Sequence, residues 1–264
     1  MDGSALTITK RMKKYGKKNN RIIGVIPSRY SSTRLPGKPL KDISGMPMIV
    51  HVLKRAQLSS VLDEVLVATD DQRICDVVEQ YGGNAILTSK EHDNGIVRAH
   101  EVSEKIPCDV VAIINGDEAL LNPNQIDAGV AALKKSDASV SLLFNDYYKK
   151  NSPSDFKVVV NTKKEIMYLT RSDIPSDART LVKKVYKAYH VMTFTKRFLD
   201  LYVTLDQTPL DKIEKHEIIR VLEHGYKIQG VKVESDAISV DTAEDLEYVR
   251  NLMNNDKIYK KYRE

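Results

Sequence analysis

Residues 21–27 place Ile22, Ile23, Val25 and Ile26 in a nearly continuous apolar run that ends directly in a polar, basic loop. A strand with one face in water alternates apolar and polar residues. A continuous run predicts a strand covered on both faces, as in a parallel sheet flanked by helices. After the loop at 28–39, Met48, Ile49, Val52, Leu53 and Ala56 recur at helical spacing, with Pro47 predicted as a first-turn residue. A strand at 64–68 follows, ending at Thr69-Asp70-Asp71, then a helix over 72–81 stopped by Gly82-Gly83. A short strand near 85–87, a helix near 97–105 and a strong strand at 109–114 continue the alternation. Such alternation builds right-handed βαβ units and predicts an α/β fold with a doubly wound, mostly parallel sheet.

The second half changes character. Residues 139–143, 157–161, 167–170 and 188–195 read as strands, the middle ones at hairpin spacing. Helices are predicted over 196–203 and over 212–224, the latter closed by Gly225. A late strand at 231–234, a further one ending at Ile238-Ser239-Val240, and a helix over 242–251 complete the chain. The architecture expected is one α/β domain with an inserted, smaller mixed-sheet region.

Ligands of open α/β sheets lie beyond the carboxyl ends of the strands. Here those ends carry Ser28-Arg29, Thr69-Asp70-Asp71 and Asn115-Gly116-Asp117-Glu118. In the loop Pro27-Ser28-Arg29-Tyr30-Ser31-Ser32-Thr33-Arg34-Leu35-Pro36-Gly37-Lys38-Pro39, Gly37 permits close backbone approach. Arg29, Arg34 and Lys38 add positive charge, and Ser31, Ser32 and Thr33 add neutral donors. Together they could hold several phosphate oxygens. The same composition also fits a basic surface turn, and neither a Walker loop nor a GxGxxG fingerprint is present. Asp117 and Asp241 each follow an apolar run, where two carboxylates could share one magnesium ion. Asp241 equally fits a helix cap before Thr242.

Other chemistries find little support. No HExxH or Cys/His spacing suggests zinc, and no GxSxG elbow suggests a hydrolase. Cys75 and Cys108 lie far apart and read as reduced thiols. The net charge of +5 is mild, and its basic clusters at 1–20 and 254–264 read as solvated arms. No nucleic-acid recognition element is evident. With neither an apolar leader nor a membrane-length apolar run, a cytoplasmic protein without membrane insertion is expected.

Taken in order, these motifs resemble the 3-deoxy-manno-octulosonate (Kdo) cytidylyltransferases over residues 21–250. The 27–39 loop is close to that family's P-A-R-x-x-S-T-R-L-P-G-K-P. The likeness continues through Ala68-Thr69-Asp70-Asp71, Gly116-Asp117-Glu118, Ile213-Glu214-Lys215, 220–228 and Val240-Asp241-Thr242-Ala243-Glu244-Asp245-Leu246. The resemblance implies a nucleotide-diphospho-sugar transferase-like fold and a homodimer that joins CTP to a sugar acid, releasing pyrophosphate, for bacterial surface polysaccharide synthesis. It implies that Lys38, Arg34 and Asp117 act in catalysis and that Arg29, Ser32, Thr33, Asp70, Asp71 and Asn115 join Arg34 and Lys38 at the nucleotide. Asp117 and Asp241 match its Mg2+-binding aspartates. Arg171, Ser172, Lys187, Tyr189, His190 and Glu217 fall on its acceptor side. A nucleotide part at about 21–135 and 229–253, and an acceptor and dimerisation part at about 136–228, are expected between the basic arm and tail.

Departures from the family pattern fall mainly on the acceptor side. Its His-x-Ser-Gly-Thr-Asp-Arg appears as His92-Asp93-Asn94-Gly95-Ile96-Val97-Arg98, its Q-G-D-E-P as Asn115-Gly116-Asp117-Glu118-Ala119, its R-H-I-G-I-Y as Lys187-Ala188-Tyr189-His190-Val191-Met192, and its E-Q-L-R as Glu217-Ile218-Ile219-Arg220. These changes predict an acceptor that is Kdo or a modified Kdo-like acid. A different acid or phosphate acceptor, and a nucleotide-binding relative without turnover, are the alternatives.

Overall fold

The computed structural model describes residues 20–32, 34–234 and 238–263, and for His190 the backbone only. The predicted basic arm at 1–20 therefore lies almost wholly outside the described residues.

The first strand, β1 (Ile22–Ser28), is buried along nearly its whole length. Its side chains alternate between two cores. Ile23 and Val25 enter one, with Ile96, Ala99 and Val102 of helix α3 (Gly95–Lys105). Ile26 enters the other, with Ile49, Val52 and Leu53 of helix α1 (Met48–Gln57). Strands β4 (Glu64–Thr69) and β6 (Val110–Ile114) divide in the same way: Leu66, Val111 and Ile113 face the first core, and Val65, Val67 and Ile114 the second. Burying each such side chain contributes roughly 1.5–3 kcal/mol, so the apolar run is stable only between two helical layers.

Between α1 and α3 the chain forms β4, helix α2 (Gln72–Gln80) and β5 (Asn84–Leu87). A two-residue hairpin pair, β2 (Asp42–Ile43) and β3 (Met46–Pro47), precedes α1. After β6 come helix α4 (Pro123–Lys135), β7 (Val140–Tyr147), β8 (Lys157–Val160), β9 (Ile166–Thr170) and β10 (Val185–Thr195). Helices α5 (Lys196–Tyr202), α6 (Pro209–Glu214) and α7 (Ile219–Glu223), strand β11 (Ile228–Lys232) and helix α8 (Ala243–Met253) complete the described order.

The main sheet runs β11-β7-β10-β6-β1-β4-β5, with β8 and β9 attached beside β10. Pairing is parallel from β6 through β1 and β4 to β5, and antiparallel on both sides of β10. From β1 the chain moves to β4 and β5, then returns to β6 on β1's other side. The crevice between the carboxyl ends of β1 and β6 is therefore a topological switch point.

Four local expectations are corrected. Pro47 is the N-cap of α1, with extended ψ of 143°, and helical geometry begins at Met48. Helix α4 was not anticipated, although the Asn122 side chain caps it and Pro123 opens it. The single helix expected over 212–224 is two helices, broken where Lys215 takes φ 51°. The strand expected to end at Val240 is not seen among the described residues: 238–241 are irregular.

The 254–263 segment does not extend as a solvated arm. The Tyr262 hydroxyl lies 2.9 Å from His51 Nδ1, Arg55 binds Asp256 at 2.6 Å, and Tyr259 donates to the Ser44 carbonyl at 2.7 Å. Burial holds the His51 pKa down at about 4, so its imidazole is neutral in this packing.

Candidate active site

The 28–39 loop takes its shape from a left-handed Gly37, φ 67°, where an added Cβ would sit 3.2 Å from the Tyr30 hydroxyl. A 3-10 turn at Lys38–Leu40 follows, closed by Leu40 N–H to Gly37 O at 3.0 Å. Ser32 accepts from Leu35 N–H at 3.3 Å, so this hydroxyl shapes the loop. The turn directs the Lys38 side chain across the switch point. Its Nζ donates to Asp117 Oδ2 at 2.8 Å and to Asp241 Oδ1 at 3.1 Å. Arg34 adds a second cation on Asp241 Oδ1 at 3.0 Å. Burial pulls the Lys38 pKa down, but Asp117 and then Asp241 outweigh it, and the net shift is upward.

Asp117 is reached through Gly116, where a Cβ would stand 3.0 Å from Pro27 O, so the close approach of β1's end to the turn after β6 favours glycine. Asp241 is brought alongside by a backbone bond, Val240 N–H to Asp117 O at 3.1 Å. Ser239 also donates to the buried Glu118 carboxylate. The capping alternative for Asp241 does not hold. Thr242 Oγ1 caps α8, accepting from Asp245 N–H at 3.1 Å, and Asp245 answers on Thr242 N–H at 2.9 Å. The Asp241 carboxylate is thus committed to Lys38 and Arg34.

Two hard carboxylates at one point, one of them with a buried oxygen lacking any hydrogen-bond partner, Asp117 Oδ1, fit a magnesium ion that takes its remaining ligands from water and phosphate. No cluster of three or more His, Cys, Asp or Glu suited to a metal occurs among the described residues.

The remaining nucleotide-side candidates divide. Arg29 is exposed and donates to the Asp93 carbonyl at 3.2 Å. It lines a cavity of about 220 Å³ with Ser28, Asn115, Asp117, Arg98 and Glu217. Asp70 and Asp71 do not line it. Asp70 pairs with buried Arg98 at 3.2 Å, and Asp71 caps α2 while binding Arg73 at 2.6 Å. Arg73 in turn lies 3.5 Å over the Tyr30 ring, so Asp71 supports the loop from behind through Arg73. Thr33 lies outside the described residues.

A larger cavity of about 670 Å³ opens beside the first and shares Asn115, Asp117, Met192 and Glu217 with it. Arg171, Lys187 and Tyr189 line it, as does Ala188. Ser172 is exposed and does not, and the His190 side chain lies outside the described atoms. The break at Lys215 leaves 215–217 in a non-helical connection that faces this cavity. Burial, and secondarily Asp211, push the Glu217 pKa up. Ile96 and Ile218 are wholly buried in the first core and Val97 lines neither cavity, so among the altered family positions Ala188 reaches the larger cavity while Ile96, Val97 and Ile218 do not.

One supporting residue carried no local signal. Lys157 is fully buried, and its ammonium donates to the carbonyls of Ser152 at 2.7 Å, Asp155 at 2.9 Å and Arg171. It fixes the backbone from which two cavity side chains project: Arg171, 4.1 Å over Phe156, and Asp155, 2.6 Å from Lys187. Lys187 and its neighbours hold the Asp155 carboxyl well below the usual range despite its burial.

Residues 23–228 match the model of a family described as cytidylyltransferase. The 3-deoxy-manno-octulosonate cytidylyltransferase of Fusobacterium nucleatum is 40% identical over 243 residues, covering 90% of this chain and 99% of the relative. A second such enzyme, from Hydrogenovibrio crunogenus, is 38% identical over 239 residues, covering 87% and 96%. Among solved structures, CMP:2-keto-3-deoxy-manno-octonic acid synthetase complexed with CTP superposes with a TM-score of 0.86 at 34% identity, over 89% of this chain and 99% of that one. The 4-diphosphocytidyl-2C-methyl-D-erythritol synthase of Anaerococcus prevotii, TM-score 0.62 at 14% identity over 90% of this chain and 100% of that one, shares the fold.

Proposed function

We propose that this chain, which belongs to the 3-deoxy-manno-octulosonate cytidylyltransferase family, transfers CMP from CTP to Kdo and releases pyrophosphate. The observation that carries the reading is the convergence of Lys38, Asp117 and Asp241, drawn from positions up to 203 apart, at the mouth shared by two cavities.

Arg29, Arg34 and Lys38 neutralise and orient the triphosphate along the 28–39 loop. The acceptor's anomeric oxygen attacks the α-phosphorus in line, a P–O bond forms, and the bond to the β-phosphate oxygen breaks with pyrophosphate leaving. No enzyme nucleophile is required, so catalysis is positioning and charge stabilisation. The hydroxyl proton passes to Glu217, which lines both cavities and is made more basic by burial. Asp117 and Asp241 would hold a magnesium ion, which would supply charge neutralisation at the α-phosphate. Asn115 lines the same mouth, and Arg171, Lys187 and Tyr189 form the acceptor wall.

The reading assigns the nucleotide to residues of about 21–135 and 229–253 and the acceptor to about 136–228, and it includes a homodimer. A cytoplasmic setting, in lipopolysaccharide synthesis, accords with this substrate pair. No helix among the described residues is long and apolar enough to cross a membrane.

A second reading, a modified Kdo-like acid, is favoured by Ala188, which leaves an apolar surface where the family pattern places a histidine. Pyrophosphate release with CTP and Mg2+ across a panel of sugar acids separates the two. Turnover of Kdo at low concentration supports the first, preference for a modified octulosonate supports the second, and no release with any sugar acid refutes both.

A further inference from the structure

We infer that Lys38 is the resident counter-cation of the Asp117–Asp241 pair, competing with a divalent metal for these two carboxylates, so that metal binding follows nucleotide binding. The inference rests on the proposed magnesium role of that pair.

Two aspartates cannot sit together uncompensated, since each raises the cost of ionising the other. Nor can they easily part, because Val240 N–H is bonded to Asp117 O and so ties the two segments at the backbone. The compensating charge comes from Lys38, at 2.8 Å and 3.1 Å, with Arg34 reaching only Asp241. Lys38 holds one Asp117 oxygen and leaves Oδ1 buried without a partner. One ammonium with three donors is an incomplete substitute for a cation that accepts six oxygens.

The arrangement allows Lys38 to leave without disturbing the loop. Its backbone is fixed by the 3-10 turn, with Lys41 N–H on Lys38 O at 3.1 Å, while its four-carbon stem rotates. A triphosphate in the adjoining loop offers Lys38 a new anionic partner. The nucleotide thereby draws the ammonium off and exposes both carboxylates. By linkage, metal and nucleotide then bind with positive coupling.

The test is Mn2+ titration followed by electron paramagnetic resonance, without nucleotide, on the wild type and Lys38→Met. The expected result is at least about tenfold tighter Mn2+ binding by the variant, since one lost ion pair of ordinary strength corresponds to that ratio. The gain should vanish in Lys38→Met/Asp241→Asn. As an independent readout, Mn2+ should raise the melting midpoint of Lys38→Met above its value in EDTA by more than it raises that of the nucleotide-free wild type. Lys38→Gln, which keeps a donor without charge, should show the same ordering and replaces the Met variant if that fails to fold. Equal nucleotide-free affinities in wild type and variant would overturn the inference. If CTP nevertheless confers Asp241-dependent Mn2+ binding on the wild type, the metal role of the pair stands. If no state shows Asp241-dependent binding, both fall.

Discussion

On the β1–β6 wall of the cleft, the candidate side chains gather on loops at the ends of parallel strands buried on both faces, and their charges meet one another directly: Lys38 with Asp117 and Asp241, Arg34 with Asp241. On the opposite wall they stand on an antiparallel insert, and their placement depends on a charge underneath. Lys157, wholly buried, gathers the carbonyls that position Arg171 and Asp155. The first wall is rigid because its scaffold cannot shift without opening two cores. The second is organised by one polar knot that can be retuned by few substitutions. If the proposed function holds, the first wall is the fixed phosphate end and the second the adjustable acceptor end.

The comparison can be broken by substitution, starting with the largest effect. Asp117→Asn removes a carboxylate from the junction and should lower kcat by about 10²–10³-fold in a pyrophosphate-release assay, the scale of losing one transition-state partner. An unchanged kcat would remove the junction from the chemistry. Glu217→Gln should cost about 10²-fold, the low end for a general base. Its pH profile decides the role. Because burial raises the Glu217 pKa, the wild-type rate should rise with pH through a limb above the ordinary glutamate range as the carboxylate forms, and the glutamine variant should lack that limb.

Lys157→Met should raise the acceptor KM about tenfold and leave the CTP KM unchanged, while orphaning carbonyls at a cost of about 1–3 kcal/mol in denaturant unfolding. Parallel increases in both KM values would show that the walls are not separately supported. At the small end, Ser172→Ala should alter neither KM by more than about twofold, since the residue is exposed and lies off the cavity.

The first wall was also the legible one. Unbroken apolar runs, Gly37 and the polar strand ends are local signals, and they placed the loop, Arg34, Lys38 and Asp117 at the switch point. The second wall was legible only in part. The helix expected through 212–224 breaks at Lys215, φ 51°, and the buried Asp211 binds Arg220 across the break at 2.8 Å, leaving Glu217 in the connection that lines the cleft. No periodicity encodes that long-range pair. Lys157 reads as one more surface lysine in a strand, and only the fold reveals the carbonyls around it. Asp70 and Asp71 illustrate the converse: carboxylates at a strand end suggest a ligand site, but here they answer Arg98 and Arg73. Helix α4 is weakly signalled because its apolar positions, Ile126, Val130 and Leu133, are sparse.

Asp241 is where the two roles readable in the sequence, helix cap and reaction-centre carboxylate, differ most in consequence. Thr242 makes the cap, so Asp241→Asn should leave the melting midpoint of the nucleotide-free protein within the range of ordinary surface changes, about 0.5 kcal/mol in stability. Measured on that same variant with CTP, Mg2+ and Kdo, pyrophosphate release should fall by about 10²–10³-fold. Wild-type turnover together with a lowered melting midpoint would contradict this, returning Asp241 to the role of a structural residue at the start of α8.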